Sequence, residues 1–177
     1  YGQSNYLAKM RKILTDEMVR NSDVFASEDY HGYLIAFYLF DETALRLALQ
    51  EVDDQSLAVG MIYLDNYEEA LASVEEVRRS LLTALIERKI NKYISSFDGI
   101  CKRLEKDKYM VVLRKKSMEM IEQDKFDLLE DVKTVNIGNE MAVTVSIGIG
   151  LDGLTYAQNY EFARNAIDLA LGRGGDQ

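Results

Sequence analysis

Four side chains in this sequence combine residue types and spacing that could do chemistry: Asp65 and Asn66, which close an apolar run, and Asp107 and Lys108, at a charged turn. A carboxylate is a hard oxygen ligand suited to magnesium, and an ammonium group is a point charge suited to phosphate. Together they read as a nucleotide-binding set able to hold a triphosphate with one metal ion, Asp107 being the metal ligand. The turn is Glu105-Lys106-Asp107-Lys108-Tyr109 and contains no glycine. Lys102 to Lys116 carries seven basic residues and two acidic ones, whereas Glu51 to Glu76 carries eight acids and no base, so phosphate would be drawn to the turn region. The same charges also suit solvated strand and turn faces, and Asp107 also suits a turn residue that hydrogen-bonds its own backbone. Hydrolysis would need a positioned water and a general base; no residue is assigned that role, and the catalytic set stays empty.

These groups need strands and helices to hold them. Leu57–Leu64 reads as a buried strand, with Asp65-Asn66 capping a following helix. Val74, Val77, Leu81 and Leu85, with neighbouring Leu82, Ile86 and Ile90, give that helix a broad apolar stripe, ended by the Asp98-Gly99 turn. The runs on either side of Glu105, Lys106 and Asp107 form a hairpin from Ile100 to Leu113. Ser117 to Val132 reads as one broken helix or two short ones, and Met141–Gly150 as a β-branched strand. A last helix carries Phe162, Ala163, Ala166, Ile167, Ala170 and Leu171, and Gly172 is expected to end it in the left-handed conformation. Upstream, Leu7, Met10, Ile13, Leu14 and Met18 suggest an amphipathic helix over Tyr6 to Val19, followed by a strand at Gly32–Phe40. Asp41 caps a helix on which Leu45, Leu49 and Val52 form a stripe, expected to pack on its own domain or on a second copy. The order β-α-β-β-α-β-α from Leu57 predicts an α+β fold, a sheet with helices packed across it.

Composition excludes several classes. A net charge of −9 argues against a nucleic-acid partner. A single cysteine, Cys101, precludes an internal disulfide framework and suits a reducing cytosol, and no cysteine-histidine cluster offers a zinc site. His31 stands alone and reads as a surface or capping residue. No apolar run reaches the ~20 residues of a membrane-spanning helix. With Tyr1 at its start, the sequence reads as a soluble fragment of a longer chain.

From about Leu57 to Gln177 the sequence resembles a GGDEF domain. The resemblance is carried by Gly60-Met-Ile-Tyr-Leu-Asp-Asn-Tyr67, Arg103 to Val112, Thr144-Val-Ser-Ile-Gly148 and Ala170-Leu-Gly-Arg-Gly-Gly175. Active members condense two GTP molecules into cyclic di-GMP with the help of metal ions. Set against that family, Tyr63 stands where a metal-binding aspartate closes the first strand, Asp65 is a retained aspartate, and Leu71 falls near a guanine-binding asparagine. In the signature, only Asp107 keeps its carboxylate, Lys108 reverses a carboxylate's charge, and both glycines are gone. One remaining carboxylate of that set would not fix two metals. Diguanylate cyclase activity is therefore expected to be lost, with a residual cyclase as the outlying alternative.

Ile62-Tyr-Leu-Asp-Asn-Tyr67, the glycine-free hairpin and Leu169 to Gln177 are similar to the degenerate GGDEF module of membrane-anchored cyclic di-AMP phosphodiesterases. That resemblance implies a nucleotide-cyclase-type fold, mostly antiparallel and flanked by helices, over 57–177. It also implies a connector helix over 41–56 and a PAS remnant or shortened sensor over 1–40. The expected function is regulatory: binding or slowly hydrolysing ATP with magnesium, and transmitting a sensor signal, as a homodimer, to a DHH phosphodiesterase domain outside this chain. The expected location is the cytoplasmic part of a membrane-anchored bacterial protein. A purely structural dimerisation and transmitter domain is the alternative. No cofactor is expected to be needed for folding.

Overall fold

Leu57–Leu64 is apolar at every position, so both faces of that strand must be covered. The computed structural model, which describes residues 4–14 and 33–177, shows what covers each face. The chain forms two compact units, Tyr1–Val52 and Asp53–Gln177.

In the second unit, β3 (Leu57–Leu64) lies inside a four-stranded sheet of order β4-β5-β3-β6, with β4 Ile100–Arg103, β5 Lys108–Arg114 and β6 Val145–Gly150. All three pairings are antiparallel, with Met61 opposite Met110 on one side and Gly148 on the other. Ala58, Ile62 and Leu64 point into the larger core, against Leu82, Ile86, Ile90 and Ile94 of helix α3 (Glu76–Ser96). Each of these leucines and isoleucines contributes about 1.5–3 kcal/mol when fully buried. The opposite face presents Met61 to Ala163 and Ile167 of α6 (Tyr156–Gly172). Short helices α2 (Tyr67–Ala72), α4 (Lys115–Gln123) and α5 (Leu128–Lys133) complete the layer around the core. This is the expected α+β arrangement of an antiparallel sheet flanked by helices.

Several details depart from the sequence reading. Of the two stripes available to α3, the phase through Leu82, Ile86, Ile90 and Ile94 is buried, while Val77 and Leu81 face solvent. The two short helices expected as one reading of Ser117 to Val132 are present as α4 and α5, with Lys125 and Phe126 at positive φ between them, but α4 begins two residues earlier, at Lys115. The strand expected from Met141 begins only at Val145. Gly172 lies within the last turn of α6, and the left-handed residues come later, at Gly174 and Gly175.

In the first unit, β1 (Tyr6–Leu14) pairs antiparallel with β2 (Tyr33–Asp41) through nine residues each. The expected helix over Tyr6 to Val19 is therefore a strand over its described part; Met18, Val19 and His31 lie outside the described residues. Asp41 does cap helix α1 (Thr43–Asp54), its Oδ1 accepting the Thr43 N–H at 2.9 Å. Among the described residues α1 has none that is buried, and Leu45, Leu49 and Val52 stand exposed. Among the described residues no helix is long and apolar enough to cross a membrane.

Candidate functional site

Where β3 ends, the Leu64 N–H donates to the Asp107 carbonyl at 2.8 Å, which carries Asp65 and the hairpin to the same end of the sheet. The hairpin is closed by Leu104 and Glu105, whose N–H groups both donate to the Lys108 carbonyl. Without glycine, the tip has no free choice of backbone conformation, and a side chain braces it instead. Arg103 donates from Nε to the Glu105 carbonyl at 3.0 Å and from Nη2 to the Lys106 carbonyl at 2.6 Å. Its guanidinium also lies 5.8 Å from the Tyr109 ring centroid and 3.5 Å from Glu87 Oε2. Sequence reasoning missed this brace. The available signal was Arg103 itself, an arginine two residues before a glycine-free tip.

The residues expected to bind nucleotide separate into distinct roles. Lys108 Nζ pairs with Glu105 Oε2 at 2.7 Å and sits 5.3 Å from the Tyr63 ring centroid. The hydrogen bond that Lys108 donates to Glu105 raises the lysine's pKa, and burial raises that of the Tyr63 phenol, so one stays charged and the other neutral across the physiological range. Tyr109 is buried, and desolvation pushes its pKa up to about 12. Glu105 and Lys106 are exposed and Asp107 is half-buried.

Asp65 is occupied elsewhere. Its Oδ2 accepts the Asp176 N–H at 2.9 Å, while its Oδ1 is buried with no hydrogen-bond partner among the described residues. Gly175, at positive φ, lets the segment come this close: a Cβ there would stand 2.8 Å from Asp65 Oδ2. Lys133 pairs with Asp176 at 2.6 Å, and the Ile147 N–H donates to the Gln177 carbonyl at 2.6 Å. Asp65 is thus the anchor of the C-terminal segment. Asn66 precedes α2 but does not cap it with its side chain. Its Nδ2 donates to the Ala142 carbonyl at 2.8 Å and its Oδ1 accepts the Thr144 N–H at 3.0 Å, tying down the approach to β6.

The basic run is also partly spent: Arg103 pairs with Glu87, Lys108 with Glu105, and Lys115 with both Asp53 and Asp152. Among the described residues, no three histidine, cysteine, aspartate or glutamate side chains gather as a metal cluster. A phenol and an ammonium group at the head of the site, with Asp65 turned to the C-terminal segment, do not make a donor set for a protein-held divalent ion.

Residues 62–177 match the family described as "Cyclic-di-AMP phosphodiesterase GdpP-like, GGDEF domain". The chain is 29% identical over 147 residues to cyclic-di-AMP phosphodiesterase GdpP of Geobacillus thermodenitrificans, covering 83% of this chain and 22% of that protein. It is 30% identical over 140 residues to cyclic-di-AMP phosphodiesterase PdeA of Listeria monocytogenes, covering 79% and 21%. The chain therefore spans about a fifth of the length of these curated relatives. In fold it is similar to the active GGEEF domain of a diguanylate cyclase from Vibrio cholerae, with a TM-score of 0.59 at 15% identity, covering 75% of this chain and 86% of that one.

Proposed function

Because this chain belongs to the GGDEF-domain family of cyclic-di-AMP phosphodiesterase GdpP-like proteins, we propose that it is the regulatory, non-cyclase module of such a phosphodiesterase. The observation that carries this reading is the pair Tyr63 and Lys108, a phenol and an ammonium group facing each other where a cyclase needs carboxylates. A site without those carboxylates cannot neutralise two triphosphates or orient an attacking hydroxyl through metal ions. In this role the module stands in the cytoplasmic part of a membrane-anchored bacterial protein, between a PAS-derived sensor segment and a DHH-type catalytic domain.

ATP is the proposed ligand. Its phosphates would be received at the hairpin by Lys108, with Asp107 beside it, and magnesium would arrive on the triphosphate it already chelates. Calorimetry with ATP, with and without magnesium and with GTP for comparison, tests this. Saturable ATP-preferring binding below about 1 mM is expected, together with no cyclic di-GMP from GTP and magnesium. No binding at that concentration overturns the nucleotide reading, and cyclic di-GMP formation overturns the regulatory one. Unchanged affinity in Asp107→Asn removes that residue from the site.

The exposed stripe on α1 favours a transmitter role alongside it, with or without ligand. Leu45, Leu49 and Val52 are 55%, 59% and 71% exposed, at the spacing of a helix that pairs with a second copy of itself. Leu45→Glu with Leu49→Glu is expected to weaken dimerisation at least about tenfold in sedimentation, about 1.4 kcal/mol or more. A wild-type chain that stays monomeric at high concentration would refute the pairing.

A further inference from the structure

We propose that Lys108 is the resident cation of this end of the sheet: matched with Tyr63, it takes the place of a divalent metal, so the domain binds no divalent ion there. The register makes the two residues direct partners. Tyr63 on β3 faces Lys108 on β5 in the antiparallel ladder, so both side chains leave the sheet on the same face. The ammonium lies 5.3 Å from the ring centroid, within reach of the ring's negative face. Glu105 holds that ammonium at 2.7 Å. Tyr63 is packed in turn, with Met110 and Tyr160, against Met61, Ala163 and Ile167, so the phenol is not free to swing aside.

The two departures from the cyclase pattern complement each other. A lysine facing an aspartate would leave one oxyanion for a metal. A tyrosine facing a glutamate would leave a metal half-ligated. Together, a phenol and an ammonium remove both oxyanions that a divalent ion would need. Of the nearby carboxylates, Glu105 is engaged by Lys108 and Asp65 Oδ2 accepts from the Asp176 N–H, which leaves Asp65 Oδ1 and Asp107, too few oxygens for the octahedral shell of magnesium. An entering Mg²⁺ would have to displace the ammonium that Glu105 already holds. The inference rests on the family membership and this geometry, and it holds whether or not ATP binds.

Thermal unfolding in magnesium or manganese chloride without nucleotide, at matched ionic strength, tests it. The wild type is expected to move by less than about 1 °C up to about 10 mM metal, since an ion that does not bind the native state cannot stabilise it. Tyr63→Asp with Lys108→Glu rebuilds facing carboxylates, and its Tm is expected to rise by about 3–6 °C over the same range. Should the double variant be unfolded without metal, Lys108→Glu alone is expected to show a smaller rise of the same sign. A saturable rise in the wild type overturns the proposal. So does a folded double variant whose Tm ignores manganese.

Discussion

Gly150→Ala is expected to cost about 3 kcal/mol or more, a large part of the 5–15 kcal/mol typical of a folded domain. Gly150 ends β6 opposite Val59, where the strand passes directly under α6. A Cβ at this position would overlap the Asn159 carbonyl oxygen and stand 2.8 Å from the Ala163 nitrogen. Both are helix backbone atoms, so no rotamer change relieves the overlap. Either α6 lifts from the sheet, exposing Met61, Ala163 and Ile167, or β6 shifts in its pairing with β3. Urea unfolding measures the loss directly as a fall in midpoint at constant slope. Gly172→Ala is the control: nothing lies within 4 Å of its Cβ position, and it sits inside the last helical turn. That variant is expected to be neutral or stabilising by up to about 1 kcal/mol. Equal losses for the two variants would show that contact between β6 and α6 does not govern this region.

Asn159→Ala is expected to destabilise by about 2–3 kcal/mol, although it removes no apolar contact of note. The side chain is 3% exposed. Its Nδ2 donates to the Leu57 carbonyl at 2.9 Å and its Oδ1 accepts the Gly153 N–H at 2.7 Å, joining the start of β3 to the loop before α6. Alanine leaves both backbone groups short of a partner, which costs more than the net worth of either bond. Faster hydrogen exchange at the Gly153 amide should accompany the fall in stability. Protection unchanged at Gly153, with stability intact, would mean that water replaces the side chain at no cost. Because Asn159 also supplies the carbonyl that Gly150 must avoid, the double variant should depart from additivity.

Where local signals were strong, the sequence sufficed. Leu57–Leu64 was read with the bounds it has, because eight consecutive apolar residues between turn formers cannot be exposed on either face. The hairpin around Glu105, Lys106 and Asp107 followed from two apolar runs and a charged tip, and the last helix from its stripe. By contrast, Tyr6–Leu14 fits a helical spacing and also an extended strand. The choice fell to β2, a partner about twenty residues away along the chain, which pairs with it residue by residue. On α3 two overlapping stripes were available, and the packing of β3 and β5 selected one of them.

The site shows the same division. The sequence determined its chemistry by removal: Tyr63 and Lys108 stand at positions where carboxylates would be needed, and neither a neutral phenol nor an ammonium group serves as an oxygen ligand for a hard divalent ion. It also determined the strand, hairpin and helix that carry these residues, since those follow from neighbours in the chain. What Asp65 and Asn66 do was decided by the tertiary structure alone. Their partners, Asp176, Ala142 and Thr144, lie 76 to 111 positions away. A carboxylate or a carboxamide offers the same donors and acceptors whether it meets a metal, a nucleotide or a backbone amide, and only the closure of the fold brings one of these within about 3 Å.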